Sequence, residues 1–120
     1  MYHPQYIDLP PDVYLRCLNI ANAYDELCRR KADLDQAIAK AADLAPQLLP
    51  CREQVGRYIE AVDDAIEQTA VDQTERKIIV DNLIKGIRMT CIAVPASLTT
   101  KKRVRKRFLE QLARNLYEVY

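Results

Sequence analysis

Residues 12–45 read DVYLRCLNIANAYDELCRRKADLDQAIAKAADLA, and this stretch decides the fold. Its core-facing positions recur every three or four residues, at Cys17, Ile20, Tyr24, Leu27, Lys31, Leu34, Ile38, Ala41 and Ala45. The spacing is a heptad pattern over four repeats, which predicts one helix of about 50 Å from Asp12 to Ala45. We expect this stripe to pack inside a bundle, with an intermolecular coiled coil as the alternative.

Prolines bound this first helix on both sides. Residues 1–11 contain three prolines and several apolar side chains, which favours an extended N-terminal arm. Pro46 cannot continue a helix, so residues 46–50 are expected to form a short turn that keeps two leucines for the core.

Three further amphipathic helices are predicted. The second runs from about Cys51 to Ala70, and Asp72 with Glu75 forms a capping pair for a third that ends near Cys91. The fourth is capped by Ser97 or Thr99 and ends near Tyr117. Its inward positions are Val104, Phe108, Leu112, Leu116 and Val119.

The third predicted helix has apolar residues on two sides. Ile78, Met89 and Ile92 lie opposite its main stripe, so this helix is either central or carries a second contact surface. Two glycines and no tryptophan among 120 residues also indicate a helical protein. We therefore predict an all-α four-helix bundle, with residues 12–120 as a single domain behind the arm.

Charge is strongly segregated along the chain although the net charge is only +1. Residues 53–75 hold seven acidic residues against one basic, and residues 101–114 hold seven basic against one acidic. Wound as helices, both charged faces point outward, and we expect that they cannot neutralise each other within one compact bundle, although flanking charges such as Lys101 and Arg105 could reach a neighbouring helix. The acidic interface candidates are Glu60, Asp63, Asp64 and Glu67.

The basic run occupies the first turns of the fourth helix, where the helix dipole is already positive and suits an anion. The candidate anion-binding residues are Lys101, Lys102, Arg103, Lys106, Arg107 and Arg114. Three interpretations remain open: a solvated face, a contact with nucleic-acid phosphates, or a contact with an acidic protein patch such as a second copy's. Base-specific recognition is disfavoured, because this face offers no aromatic partner except Tyr117.

Catalytic and metal-binding patterns are missing from the sequence. There is no phosphate-binding glycine loop, the four cysteines lack C-x-x-C spacing, and His3 lies far from all of them in sequence. We expect no catalytic residue, metal or cofactor, and no small-molecule substrate. The N-terminus has no signal-peptide pattern, and no apolar stretch is long enough for a membrane span, so a cytoplasmic protein without membrane association is expected.

These observations favour a non-catalytic subunit or accessory protein of a nucleoprotein assembly, which contacts nucleic-acid phosphates without sequence preference through its fourth helix. The alternative is a protein-interaction module, such as an inhibitor, an antitoxin-like protein or an assembly adaptor, including one encoded by a phage. That module would act through the heptad face, the charged faces or the surface formed by Ile78, Met89 and Ile92.

Overall fold

The computed structural model describes residues 9–117, and every regular element within them is helical. The five α-helices are α1 (Pro11–Asn22), α2 (Tyr24–Lys40), α3 (Ala45–Thr69), α4 (Gln73–Ile79) and α5 (Leu98–Tyr117). A 3-10 turn precedes α3 (Ala42–Leu44), a π turn continues α4 (Val80–Ile84), and a second 3-10 turn lies before α5 (Met89–Cys91). The all-α class is thus confirmed for the described part of the chain.

The predicted first helix is divided at Ala23, whose backbone leaves the helical region at φ −90° and ψ 6°. Its two halves have different partners: α1 packs on α5 and the π turn, whereas α2 packs on α3. The prediction of one helix from Asp12 to Ala45 is therefore wrong, because the two halves of the heptad stripe pack against different helices. Residues 1–8 of the predicted N-terminal arm lie outside the described part of the chain. Val119, predicted as an inward residue of the fourth helix, also lies outside it. Pro11 already begins α1, where its missing N–H costs nothing.

The helices α2 and α3 form an antiparallel hairpin that extends beyond the main core. The Tyr24 hydroxyl donates to Asp63 Oδ1 at 2.6 Å, and Arg52 Nε donates to Asp35 Oδ1 at 2.8 Å nearer the tip. No residue of α2 is fully buried. The hairpin contributes to an elongated shape with extents of 54 × 32 × 21 Å.

The chain turns before Pro46 instead of after it, so α3 begins at Ala45 and not at Cys51. Pro46 lies in the first turn, where amides have no helical partner, while Pro50 lies inside the helix and removes one donor. The predicted turn over residues 46–50 is thus helical. Of its two leucines, Leu48 is half-buried and Leu49 is 42% exposed.

The core lies between α1, the second half of α3, α4 and α5. The fourth predicted helix is confirmed as α5, with Val104, Phe108, Leu112 and Leu116 all buried. Ser97 is its cap, since the Thr100 N–H donates to Ser97 Oγ at 3.1 Å.

The predicted third helix starts as expected but ends early. Asp72 Oδ1 accepts from the Glu75 N–H at 2.9 Å, which confirms the cap. Gly86, at φ +74°, then terminates the segment, a conformation that favours glycine, and the Ile87 N–H donates back to Asp81 O at 2.8 Å.

The early end corrects the apolar surface that was predicted on this helix. Met89 and Ile92 lie in the segment after Gly86, which packs against α5, and they are 8% and 4% exposed. Ile78 is fully buried in the core. These three residues therefore form no exposed interface, because each is covered by the chain itself.

Candidate nucleic-acid interface

Lys101 is a structural residue and not a surface cation. It is 7% exposed, and its Nζ donates to Met89 O at 2.8 Å and to Ile92 O at 2.9 Å. The ammonium thus anchors the segment after α4 to the first turn of α5. Its assignment as an anion-binding residue is wrong, since both carbonyls already occupy it.

Arg107 also has a partner within the chain. Its Nη2 lies 3.0 Å from Glu75 Oε1, which is 3.2 Å from the Val71 N–H as well. A second ion pair joins Arg76 on α4 to Glu67 on α3. The expectation that the two charged regions cannot neutralise each other is therefore wrong at this corner, because α4 packs on α5 and its residues pair with both neighbouring helices, Glu75 with Arg107 of α5 and Arg76 with Glu67 of α3.

Besides Arg107, three of the predicted cations are exposed on α5, and none of these three has an ion pair in the described part of the chain. The side chains of Lys102 and Arg103 have no hydrogen bond or ion pair within residues 9–117, and Arg114 Nη1 is 3.3 Å from Gln111 Oε1 on its own helix. Lys106 is half-buried and lines a cleft beside Lys102. The exposed positive charge is therefore concentrated in the first turns of α5, with Arg114 farther along the helix.

The structure adds two cations that were not singled out from the sequence. Lys85 and Arg88 are exposed in the segment after the π turn. Met89, which follows Arg88, lines the same cleft as Lys102 and Lys106. The signal that could have revealed them is Gly86, since a helix end there places residues 85–88 in a loop beside α5.

Arg105 and Tyr14 bring α1 into this basic surface. Arg105 Nη2 donates to the Tyr14 hydroxyl at 3.3 Å, and both residues line the cleft that contains Lys102 and Lys106. The sequence did not show that an aromatic ring from another helix would stand here, because the two residues are 91 positions apart.

The acidic face of α3 is exposed as predicted, but part of it is engaged. Asp63 accepts from Tyr24, and Glu67 pairs with Arg76. Burial together with the Asp63 hydrogen bond raises the pKa of Tyr24, so its hydroxyl remains a donor into the alkaline range. Glu60 and Asp64 are exposed, and their side chains have no hydrogen bond or ion pair among residues 9–117, although the charge of Glu60 acts on Arg52.

The other candidate chemistry is limited in the described residues. All four cysteines are free, and no group of three or more His, Cys, Asp or Glu side chains in residues 9–117 is placed to hold a metal ion. Burial raises the pKa of the Cys17 thiol to about 11. None of the helices in residues 9–117 combines the length and apolarity needed to cross a membrane.

Comparison with protein-family models, with curated proteins and with solved structures gives no match. The function has to be argued from the charges and clefts around α5.

Proposed function

We propose that this protein is a cytoplasmic, non-catalytic helical-bundle subunit or accessory protein of a nucleoprotein assembly. It binds nucleic-acid phosphates through a basic surface composed of Lys85, Arg88, Lys102, Arg103, Lys106 and Arg114. The observation that carries the proposal is the pair of exposed cations at Lys102 and Arg103, which have no partner in the described chain.

Two physical arguments support this assignment. Cations in the first turns of a helix are unfavourable by roughly 0.3–1 kcal/mol each when they face the positive end of the dipole, so an external anion relieves them. Phosphate contacts need only exposed positive charge at suitable spacing and release counterions on binding. Arg103 and Arg114 are eleven residues apart along α5, about 16 Å, which spans several phosphates of a strand.

The test measures the affinity for short labelled DNA and RNA oligonucleotides by fluorescence anisotropy over a series of salt concentrations. The variant Lys102→Gln/Arg103→Gln/Arg114→Gln should stay folded and lower the slope of log affinity against log salt by roughly 2 to 3 units. A matched control, Arg29→Gln/Arg30→Gln/Lys40→Gln on α2, removes the same charge elsewhere and should keep the slope. Equal slopes for the two variants would refute the assignment of the site.

A second candidate function rests on the acidic face of α3. Glu60 and Asp64 are exposed and form no hydrogen bond or ion pair through their side chains among residues 9–117, so the face suits a basic partner, including the α5 surface of another copy in a head-to-tail contact. Sedimentation at low and high salt tests this. Salt-sensitive association that is lost in Glu60→Gln/Asp64→Asn would support a protein-interaction module, and a monomer at every salt concentration would oppose self-association.

A further inference from the structure

Arg105 stands between two clefts on the basic surface. On one side, a cleft of about 220 Å³ is lined by Tyr14, Met89, Lys102, Lys106 and Leu109. On the other side, a cleft of about 330 Å³ is lined by Leu18, Asn22, Asn82, Leu83, Ile84, Lys85 and Gly86. Arg105 lines both clefts, so its side chain lies between a cleft that contains Tyr14 and a cleft that contains the Asn82 amide.

Two polar atoms beside the larger cleft are buried without a partner among the described residues. They are Arg105 Nε, a donor, and Asn82 Oδ1, an acceptor. The orientation of the Asn82 amide is fixed, because its Nδ2 donates to Ile87 O at 2.9 Å. Buried polar atoms are nearly always paired in folded proteins, so this donor and acceptor lack the partners they need, and an outside group that supplies one of each can reach them once the side chains that cover them move.

The backbone under Asn82 is itself unusual. Asn82 occupies the middle of the π turn Val80–Ile84, a form that occurs mostly as single turns and frequently at functional sites. Gly86, two residues after the end of the turn, lines the same cleft. A widened helical turn and two unpaired polar atoms therefore coincide at one place on the surface.

The smaller cleft supplies an aromatic ring among cations. Tyr14 is half-buried and is joined to Arg105 by a contact of 3.3 Å, longer than the usual 2.7–3.2 Å for an N–H···O bond. Such a contact gives way easily, which frees Arg105 to turn toward a ligand. A ring flanked by Lys102 and Lys106 has the composition of single-strand binding surfaces, where bases stack on aromatic residues and cations follow the phosphates.

We infer that the surface around Arg105 binds unpaired nucleobases, one stacked on Tyr14 and one with its edge at Arg105 and Asn82, so that the protein prefers single strands to duplex. The inference rests on the proposed phosphate-binding function and names its substrate class. Base edges carry both acceptors and donors, which matches the unpaired Nε–H and Oδ1. In a duplex these edges and ring faces are occupied.

The experiment compares three labelled ligands of equal phosphate number: a single strand, an abasic strand and a duplex. The wild type should bind the single strand most tightly. Tyr14→Leu should lower single-strand affinity by about ten- to a hundredfold while leaving the salt slope and abasic binding unchanged, because base stacking is lost and phosphate contacts are kept. Tyr14→Phe keeps the ring and should retain most of the affinity.

Two further variants separate the contributions. Arg105→Lys keeps the charge but removes the Nε–H donor, so it should weaken single-strand binding and leave the salt slope unchanged. Tyr58→Leu, at a half-buried tyrosine on α3 away from the cleft, is the matched control and should bind as the wild type does.

The outcomes distinguish the two proposals. If the wild type bound base-bearing and abasic strands with equal affinity and a steep salt slope, the base-binding inference alone would be overturned. The unpaired polar atoms beside the cleft would then be hydrated by water. An absence of binding to all three ligands would overturn the proposed function and this inference together.

Discussion

Replacing Lys101 by methionine tests the finding that a predicted anion-binding cation is a structural anchor. The methionine side chain is unbranched and only one heavy atom shorter, so the change removes the ammonium and little packing. Two hydrogen bonds are lost, at 2.8 and 2.9 Å, and bonds from charged donors contribute about 1.5–3 kcal/mol each.

Two effects reduce the net cost. The buried ammonium no longer has to be desolvated, and neither carbonyl loses every donor. Met89 O still accepts from the Ile92 N–H at 3.3 Å, and Ile92 O accepts from the Val94 N–H at 3.0 Å. We therefore expect a loss of about 2–3 kcal/mol in the free energy of unfolding, which for a chain of 120 residues corresponds to roughly 10 °C in Tm.

Urea denaturation followed by circular dichroism measures this, with Lys102→Met as the matched control. Lys102 is the next residue and is exposed, so its replacement should change stability by less than about 0.5 kcal/mol. Binding should respond in the opposite way: Lys102→Met weakens oligonucleotide affinity, whereas folded Lys101→Met retains it. Equal stability of the two variants would refute the anchoring role of Lys101.

The other predictions concern the core and the helix ends. The Cys17 pKa is about 11 in the folded protein, against an ordinary 9.0, so the thiol loses its proton at a lower pH in the unfolded chain than in the folded one. Stability should therefore fall by up to ~1.4 kcal/mol per pH unit between pH 9 and 11, and Cys17→Ala should lose less over the same range in urea titrations. Val62→Asp places a charge at a fully buried position and should abolish the helical circular dichroism signal, while Asp63→Asn should change the Tm little; a stable Val62→Asp would contradict the packing of α3. Gly86→Ala meets no neighbouring atom but must adopt φ +74°, so we expect a loss of about 1–2 kcal/mol in urea unfolding, and an unchanged midpoint would show that the loop relaxes.

Local sequence patterns correctly predicted those helices whose apolar face packs against one continuous surface. The α5 periodicity gave Phe108 and Leu112 as inward residues, and Asp72 and Ser97 were recognised as caps from side-chain chemistry alone. These features depend on residues within a few positions of one another, so a single sequence contains the information for them.

Features set by tertiary contacts could not be predicted in the same way. The division at Ala23 arises because α1 and α2 pack on different helices, although the heptad spacing runs through it unbroken. Lys101 and Arg105 were expected to be able to reach a neighbouring helix, but the sequence did not give their partners. Lys101 donates to the carbonyls of residues 89 and 92, and Arg105 meets Tyr14 and the π turn, which are set by the tertiary fold.

The α2–α3 hairpin has a consequence for how the molecule opens. The first half of α3 and most of α2 depend mainly on each other, since only Tyr24 and Tyr58 of these segments pack on the main core and the buried core residues of α3 begin at Ala61. Amide protons in the α2–α3 hairpin should therefore exchange with solvent by partial opening of the hairpin, at a lower free energy than those of α5, which require global unfolding. A protease should cleave the hairpin first, near residues 41–44, while the core around Phe108 stays folded.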